Sequence, residues 1–210
     1  MNEVHPATES LERPGVVRYA DAEVPTDYGA LQVIIYREPE TGVEHCAFVA
    51  GELLGREQVL CRVHSECFTG EVLHSLKCDC REQLDQALVR ISDAGSGVVI
   101  YLRQEGRGIG LGNKIRAYAL QQEGVDTVDA NLQLGFDADS RRYHAAAEIL
   151  DDLGVASIAL MTNNPAKVEA LRKDGVRVAR REAMSIAPND HNRDYLDTKN
   201  RRMGHLIELE

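Results

Sequence analysis

Positive charge is scarce in this chain. It carries 24 Lys and Arg against 34 Asp and Glu, a formal net charge of −10, so the surface as a whole repels phosphate and nucleic-acid binding is not expected. Long apolar runs are missing too: nothing in the sequence could span a bilayer, and the opening MNEVHPATESLERPG has no basic segment followed by an apolar stretch. Neither membrane insertion nor secretion is therefore expected, and the expected location is the cytoplasm. There is no internal repeat and no low-complexity tract. The glycines of RQEGRGIGLGNK (residues 103–114) resemble a nucleotide loop at first sight, but they supply neither GxGxxG in register nor GKS or GKT, which excludes a dinucleotide fold and a P-loop. They read instead as a loop whose glycines let backbone approach a ligand closely.

What is present is the balance of a soluble globular protein, 43% hydrophobic and 28% charged over 210 residues, enough for one substantial core and one folded unit. Five cysteines is an odd number, and in a reducing compartment clustered thiols are better read as metal ligands or nucleophiles than as disulfides. Cys46 and Cys61 sit in strand-like apolar stretches, where a buried inert thiol is expected. Cys67, Cys78 and Cys80 cluster with the spacing Cys-x10-Cys-x-Cys, which is no standard zinc finger. Three thiols plus water would make an open, reactive zinc site, whereas a fourth protein ligand such as His64 or His74 would close it into a structural one; the spacing leaves both open. Asp79 and the start of the following helix would orient the loop and favour thiolates through helix N-terminal amides.

Along the chain, residues 1–16 are polar with two prolines and read as a poorly ordered extension. ALQVIIYRE, EHCAFVAGE and QVLCRVH are short, β-branched and separated by turn-forming stretches, which predicts a largely antiparallel sheet. The helical spacing of Leu84, Ala87, Leu88 and Ile91 is followed by the strand GVVIYLR, and then by the helices NKIRAYALQQEG and SRRYHAAAEILDDLG. Next come the strand SIALMT, the helix PAKVEALRKDG and the strand VRVAR. The fold class expected is α/β in a mixed α+β sense: an N-terminal antiparallel sheet followed by βα units, forming one catalytic unit over residues 17–194. Residues 195–210 are charged and weakly periodic, and read as a tail or interface segment.

From RVHSEC (62–67) through TGEVLHSLKCDC (69–80) and the QL that follows, the chain resembles the GTP cyclohydrolase II family. RQEGRGIGL (103–111), NKIRAYALQ (113–121), DTVDAN with LGF (126–136), MTNNPAKV (161–168) and YLDTKNRRMGH (195–205) continue the resemblance in family order. It implies the monofunctional form, since the 3,4-dihydroxy-2-butanone 4-phosphate synthase domain fused to many relatives is not in the sequence. The activity implied is zinc-dependent hydrolysis of GTP to 2,5-diamino-6-(5-phosphoribosylamino)pyrimidin-4(3H)-one, formate and pyrophosphate, the first step of riboflavin biosynthesis, in a homodimer. By resemblance, Cys67, Cys78 and Cys80 hold one Zn²⁺, Asp139 accepts a proton, and Tyr118 stacks on the base. Arg62, Val63, His64, Ser65, Glu66, Gln83, Glu105, Gly106, Arg107, Thr127, Thr162 and Lys167 fall at GTP-contacting positions, with Mg²⁺ on the triphosphate. Arg141 matches the position proposed in the family to attack the α-phosphate. A guanidinium is essentially always protonated, so stabilising charge on the transferred phosphoryl group is the role expected of it here. Arg81 and Glu82 stand where relatives usually have glycine after the CDC triplet, and an ion pair between them is expected beside the metal loop. Two alternatives accompany this reading: a paralogue that stops at the formylated pyrimidine, against which Tyr118 speaks, and a non-catalytic zinc-stabilised nucleotide module in which Arg81 closes the fourth metal position.

Overall fold

The computed structural model describes residues 15–137, 139–204 and 206, and the side chains of Thr127, Asp194 and Met203 lie outside the description. Most of the expected N-terminal extension is therefore outside the described residues. Its last two residues are tied down: Gly15 and Val16 donate their backbone N–H groups to Glu148 at 3.1 and 2.8 Å, and Val16 packs into the core.

Alternating apolar residues build the first strands. In β2 (Gly29–Arg37), Leu31, Ile34 and Tyr36 are buried. It pairs antiparallel with β1 (Val17–Thr26) and β3 (Glu44–Ala50), and β3 pairs antiparallel with β5 (Gly97–Leu102). The remaining contacts are parallel, linking β5 to β4 (Val59–Ser65), β4 to β6 (Ile158–Met161) and β6 to β7 (Val178–Glu182). The sheet thus has seven strands in the order β1-β2-β3-β5-β4-β6-β7, a mixed sheet of the expected class. One strand departs from expectation: QVLCRVH, read with the antiparallel half, forms β4 and runs parallel to both neighbours. Its burial on both faces is what a strand of a covered parallel sheet requires.

Seven α-helices complete the described chain: α1 (Phe68–Glu71), α2 (Cys80–Asp93), α3 (Gly110–Gln122), α4 (Thr127–Gln133), α5 (His144–Asp152), α6 (Pro165–Lys173) and α7 (Arg193–Met203). Successive strand residues face opposite sides, so Val98, Ile100 and Leu102 of β5 join one core layer and Val99 the other. The first layer takes Ile149 and Leu150 from α5 and Val168 and Leu171 from α6; the second takes Ala87, Leu88 and Ile91 from α2. Ile149 and Leu171 are fully buried, each stabilising the fold by about 1.5–3 kcal/mol. Residues from Tyr195 onward, expected as a tail or interface segment, form most of α7, where Leu196 is fully buried.

Because β4, β5 and β6 are parallel, their carboxyl ends open on one edge of the sheet, where open α/β sheets place ligands. Packing is close at the opposite, amino-terminal end of these strands. A Cβ on Gly97, at the start of β5, would sit 2.6 Å from Ile91 Cγ2 and 2.8 Å from the Leu60 carbonyl oxygen. Gly97→Ala is expected to cost about 1–3 kcal/mol through overpacking; urea unfolding would show it as a lowered midpoint, and an unchanged midpoint would contradict the packing described.

Candidate active site

Cys67 ends the segment after β4 and precedes α1, while Cys78, Asp79 and Cys80 form the turn into α2. The three thiol sulfurs lie within 4.8 Å of one another, with Cys67 Sγ and Cys78 Sγ 3.6 Å apart. A zinc ion bound tetrahedrally at about 2.3 Å from each sulfur would space them by roughly 3.8 Å, so the donor set fits one such ion. Gly70 makes the approach possible, since a Cβ there would lie 3.0 Å from Cys78 Sγ and 3.2 Å from Cys67 Sγ. Hydrogen bonds from the Cys78 and Cys80 thiols, and then Lys114, whose Nζ is 3.1 Å away, hold Cys67 far below the usual thiol range. The bond to Cys67 pushes Cys78 up to about 11, and Cys80 rises well above its ordinary value for the same reason. A metal bound here would take the sulfurs as thiolates, so its binding would release protons.

Neither histidine closes the site. His64 Nε2 pairs with Glu71 Oε1 at 2.7 Å and its ring stacks on Tyr101, while His74 is exposed. Among the described residues the three cysteines are the only group of His, Cys, Asp or Glu side chains that could hold a metal. Arg81 does not reach it either: the side chain is exposed and lies 3.6 Å from Asp85, so the ion pair expected with Glu82 is replaced by an i,i+4 pair along α2. Asp79 stands at the N-cap of α2, but its carboxylate caps no helix amide. It accepts from Lys199 at 2.8 Å and from Gln83 at 2.5 Å.

Around the cluster the strand ends deliver cations. Arg62, on β4, is 6% exposed; its terminal nitrogens donate to the Met161 carbonyl oxygen at 2.9 Å and to Gln83 Oε1, and its Nε is buried without a partner. Beyond β5 a 3-10 turn at Glu105–Gly108 puts Gly106 and Arg107 in the left-handed region, at φ 63° and 61°. Such a conformation costs a non-glycine residue about 1–2 kcal/mol, and here it tucks in a guanidinium whose two terminal nitrogens are buried and unpaired. After β6, Asn164 caps α6 by accepting from the Ala166 amide at 3.0 Å, and Thr162 accepts from the Asn164 amide. Lys167, in the first turn of α6, is 4% exposed and donates to the Val63 carbonyl oxygen at 2.6 Å. Burial, then Arg62 and Arg141, lower its pKa well below the ordinary lysine range. Buried donors without acceptors beside buried cations are the signature of a polyanion site.

Arg62, His64, Ser65, Glu66, Gln83, Glu105, Gly106, Arg107, Tyr118, Arg141, Thr162 and Lys167 line one cleft with the three cysteines. Val63 offers only its backbone from inside the core, and the Thr127 side chain lies outside the described residues. Asp139 is set apart, on an adjoining groove that shares Arg141 and Lys167 with the cleft. Its carboxylate grips Arg141 through two hydrogen bonds of 2.8 and 2.5 Å. Burial alone would raise the Asp139 pKa, but the Arg141 guanidinium outweighs it and holds the acid below its usual value. Arg141, in turn, is raised: burial opposes its charge, and Asp139 more than restores it. The Tyr118 hydroxyl is 3.5 Å from Thr69 Oγ1 and its pKa is pushed up to about 12, chiefly by burial. Cys46 and Cys61 stand apart on β3 and β4, and burial pushes the Cys61 thiol up to about 12. The structure adds Lys114, Asn131, Tyr195 and Lys199 to the cleft wall. Lys114 and Lys199 lay within the quoted motifs, but a lysine in a helical pattern reads as a solvated charge until its partner is seen.

The sequence model of the GTP cyclohydrolase II family matches residues 17–183. GTP cyclohydrolase-2 of Histophilus somni (strain 2336) is 51% identical over 188 residues, covering 90% of this chain and 87% of that protein. GTP cyclohydrolase-2 of Actinobacillus succinogenes is 50% identical over 192 residues, covering 91% and 88%. Among solved structures, a two-domain 3,4-dihydroxy-2-butanone 4-phosphate synthase from A. baumannii aligns with a TM-score of 0.48 at 21% identity, over 83% of this chain and 42% of that one. With its matched segment running from β1 to the end of the sheet and half its residues shared with such relatives, the chain belongs to the GTP cyclohydrolase II family.

Proposed function

We propose that the chain hydrolyses GTP to 2,5-diamino-6-(5-phosphoribosylamino)pyrimidin-4(3H)-one, formate and pyrophosphate, the opening step of riboflavin biosynthesis, using zinc held by Cys67, Cys78 and Cys80. The observation that carries this is one cleft lined both by a three-thiol cluster and by buried, partly unpaired cations. Bound by three thiolates with a fourth position left to solvent, zinc would supply Lewis acidity toward water and the guanine C8 that water attacks. Tyr118, reached from the cluster through Thr69, would stack on the base. Arg62, Arg107 and Lys167, with Thr162 at the start of α6, would hold the triphosphate and its Mg²⁺. The remaining predicted contacts, His64, Ser65, Glu66, Gln83, Glu105, Gly106, Val63 and Thr127, would complete the pocket. Asp139, kept anionic by Arg141, would accept a proton during ring opening.

Arg141 would act as a cation rather than as a nucleophile. Its own acid partner raises its pKa, so the neutral guanidine needed to attack phosphorus is scarcer than in water, while a fixed positive charge beside the α-phosphate stabilises a phosphoryl group in transfer. A cytoplasmic homodimer, with the catalytic unit over residues 17–194, is the assembly and location proposed.

Three measurements test this. Incubating the zinc-loaded protein with GTP and Mg²⁺ should release formate and pyrophosphate in equal amounts; pyrophosphate without formate would identify a reaction that stops at the formylated pyrimidine. Serine at position 67, 78 or 80 should remove both zinc, read by metal analysis, and turnover; full activity in a variant verified as zinc-free would refute the metal assignment. Arg141→Ala should lower kcat by about 10²–10³, with Arg141→Lys recovering part of it. A phosphoryl adduct on Arg141, trapped and seen by mass spectrometry, would overturn the charge-stabilising role.

A further inference from the structure

Asp79 separates two of the three metal-ligating thiols, is 3% exposed, and makes its strongest contact with a residue 120 positions away. Lys199 Nζ, on α7, lies 2.8 Å from Asp79 Oδ1, and both side chains are nearly excluded from solvent. From Asp79 the hydrogen bonds continue inward, through Gln83 to Arg62 and from Arg62 to the Met161 carbonyl oxygen. A single polar chain thus runs from α7, behind the Cys78–Cys80 turn, to the ends of β4 and β6. α7 is itself fixed at several points. Leu196 is fully buried, Arg202 pairs with Asp129 at 3.0 Å, and just beyond the helix the Leu206 amide donates to the Asn163 carbonyl oxygen at 2.8 Å.

The charges explain why such a latch is needed. Zinc with three thiolates carries one net negative charge, and Asp79 adds a second in the same buried turn. Lys114 contacts both Cys67 and Glu105, and Lys199 stands against Asp79, so among the described residues Lys199 is the cation in direct contact with the Asp79 carboxylate. Without Lys199 the Asp79 carboxylate would be buried beside anionic sulfurs and would have to turn toward water, dragging the two-cysteine turn with it. We propose that Lys199 is a positioning residue of the metal centre: the C-terminal helix holds Asp79, and through it Cys78 and Cys80, in the geometry that retains zinc. This inference rests on the zinc reading above.

The test is the rate at which zinc passes from the loaded protein to a chromophoric chelator, measured for the wild type, K199M, K199R, D79N and the D79N/K199M double variant. Thermal midpoints are recorded alongside. A wild type that binds no zinc would remove the zinc reading itself; with zinc bound, the comparison addresses Lys199 alone. Partners of metal ligands are typically worth about 10–100-fold in affinity, so K199M should release zinc at least about tenfold faster. K199R, which keeps the charge, should stay near the wild type. In the double variant the cation is no longer needed, so its release should return to that of D79N, a coupling that a general loss of stability would not produce. Release from K199M at the wild-type rate would overturn the proposal, as would a double variant that loses zinc faster than D79N. If K199M does not fold, K199Q, which keeps a donor without the charge, replaces it under the same criteria.

Discussion

Arg62, midway along β4, and Lys167, in the first turn of α6 after the neighbouring strand β6, are buried near each other, and the site depends on how the fold tolerates that repulsion. Each is held by a backbone carbonyl, Arg62 by Met161 and Lys167 by Val63. Those carbonyls belong to the neighbouring parallel strands β6 and β4, so each cation is fastened to the sheet backbone. Burial and like charge lower the Lys167 pKa well below its ordinary range, a cost that an arriving polyphosphate would reverse. The same constraint accounts for the partners around them. Gln83 bridges Arg62 to Asp79, and Asp139 keeps Arg141 charged.

The overall negative charge acquires meaning beside this arrangement. A chain at −10 that concentrates Arg62, Arg107, Arg141 and Lys167 on one edge of its sheet presents a local attraction on a repelling surface, which favours a small polyanion over a long one. The three thiols that line the same cleft are the only group among the described residues that could hold a metal.

Much of the fold was legible because the core is regularly patterned. The alternation in GALQVIIYR and the helical spacing of Ala87, Leu88 and Ile91 each follow from one buried face. QVLCRVH was legible as a strand but not in its direction, because a strand covered on both faces carries no periodicity to reveal its neighbours. α7 was missed for the opposite reason: among the described side chains of RDYLDTKNRRM only Leu196 marks a buried apolar position, and the helix makes polar contacts that a sequence does not display. The site divides in the same way. Cysteine spacing pointed to three grouped thiols, and the motifs gathered most of the lining. The left-handed turn that buries Arg107, the separation of Asp139 from the thiols, and the pairing of Arg81 with Asp85 are products of backbone geometry.

The contact between Asp79 and Lys199 also has a consequence in time. The two residues are 120 positions apart, and ribosomes add roughly 5–20 residues per second. The turn bearing Cys78 and Cys80 is thus made roughly 6–24 s before its lysine exists. Through that interval a nascent chain carries its cysteine pair beside an uncompensated carboxylate, so a metal captured early would be held by a looser turn than the one the finished protein presents.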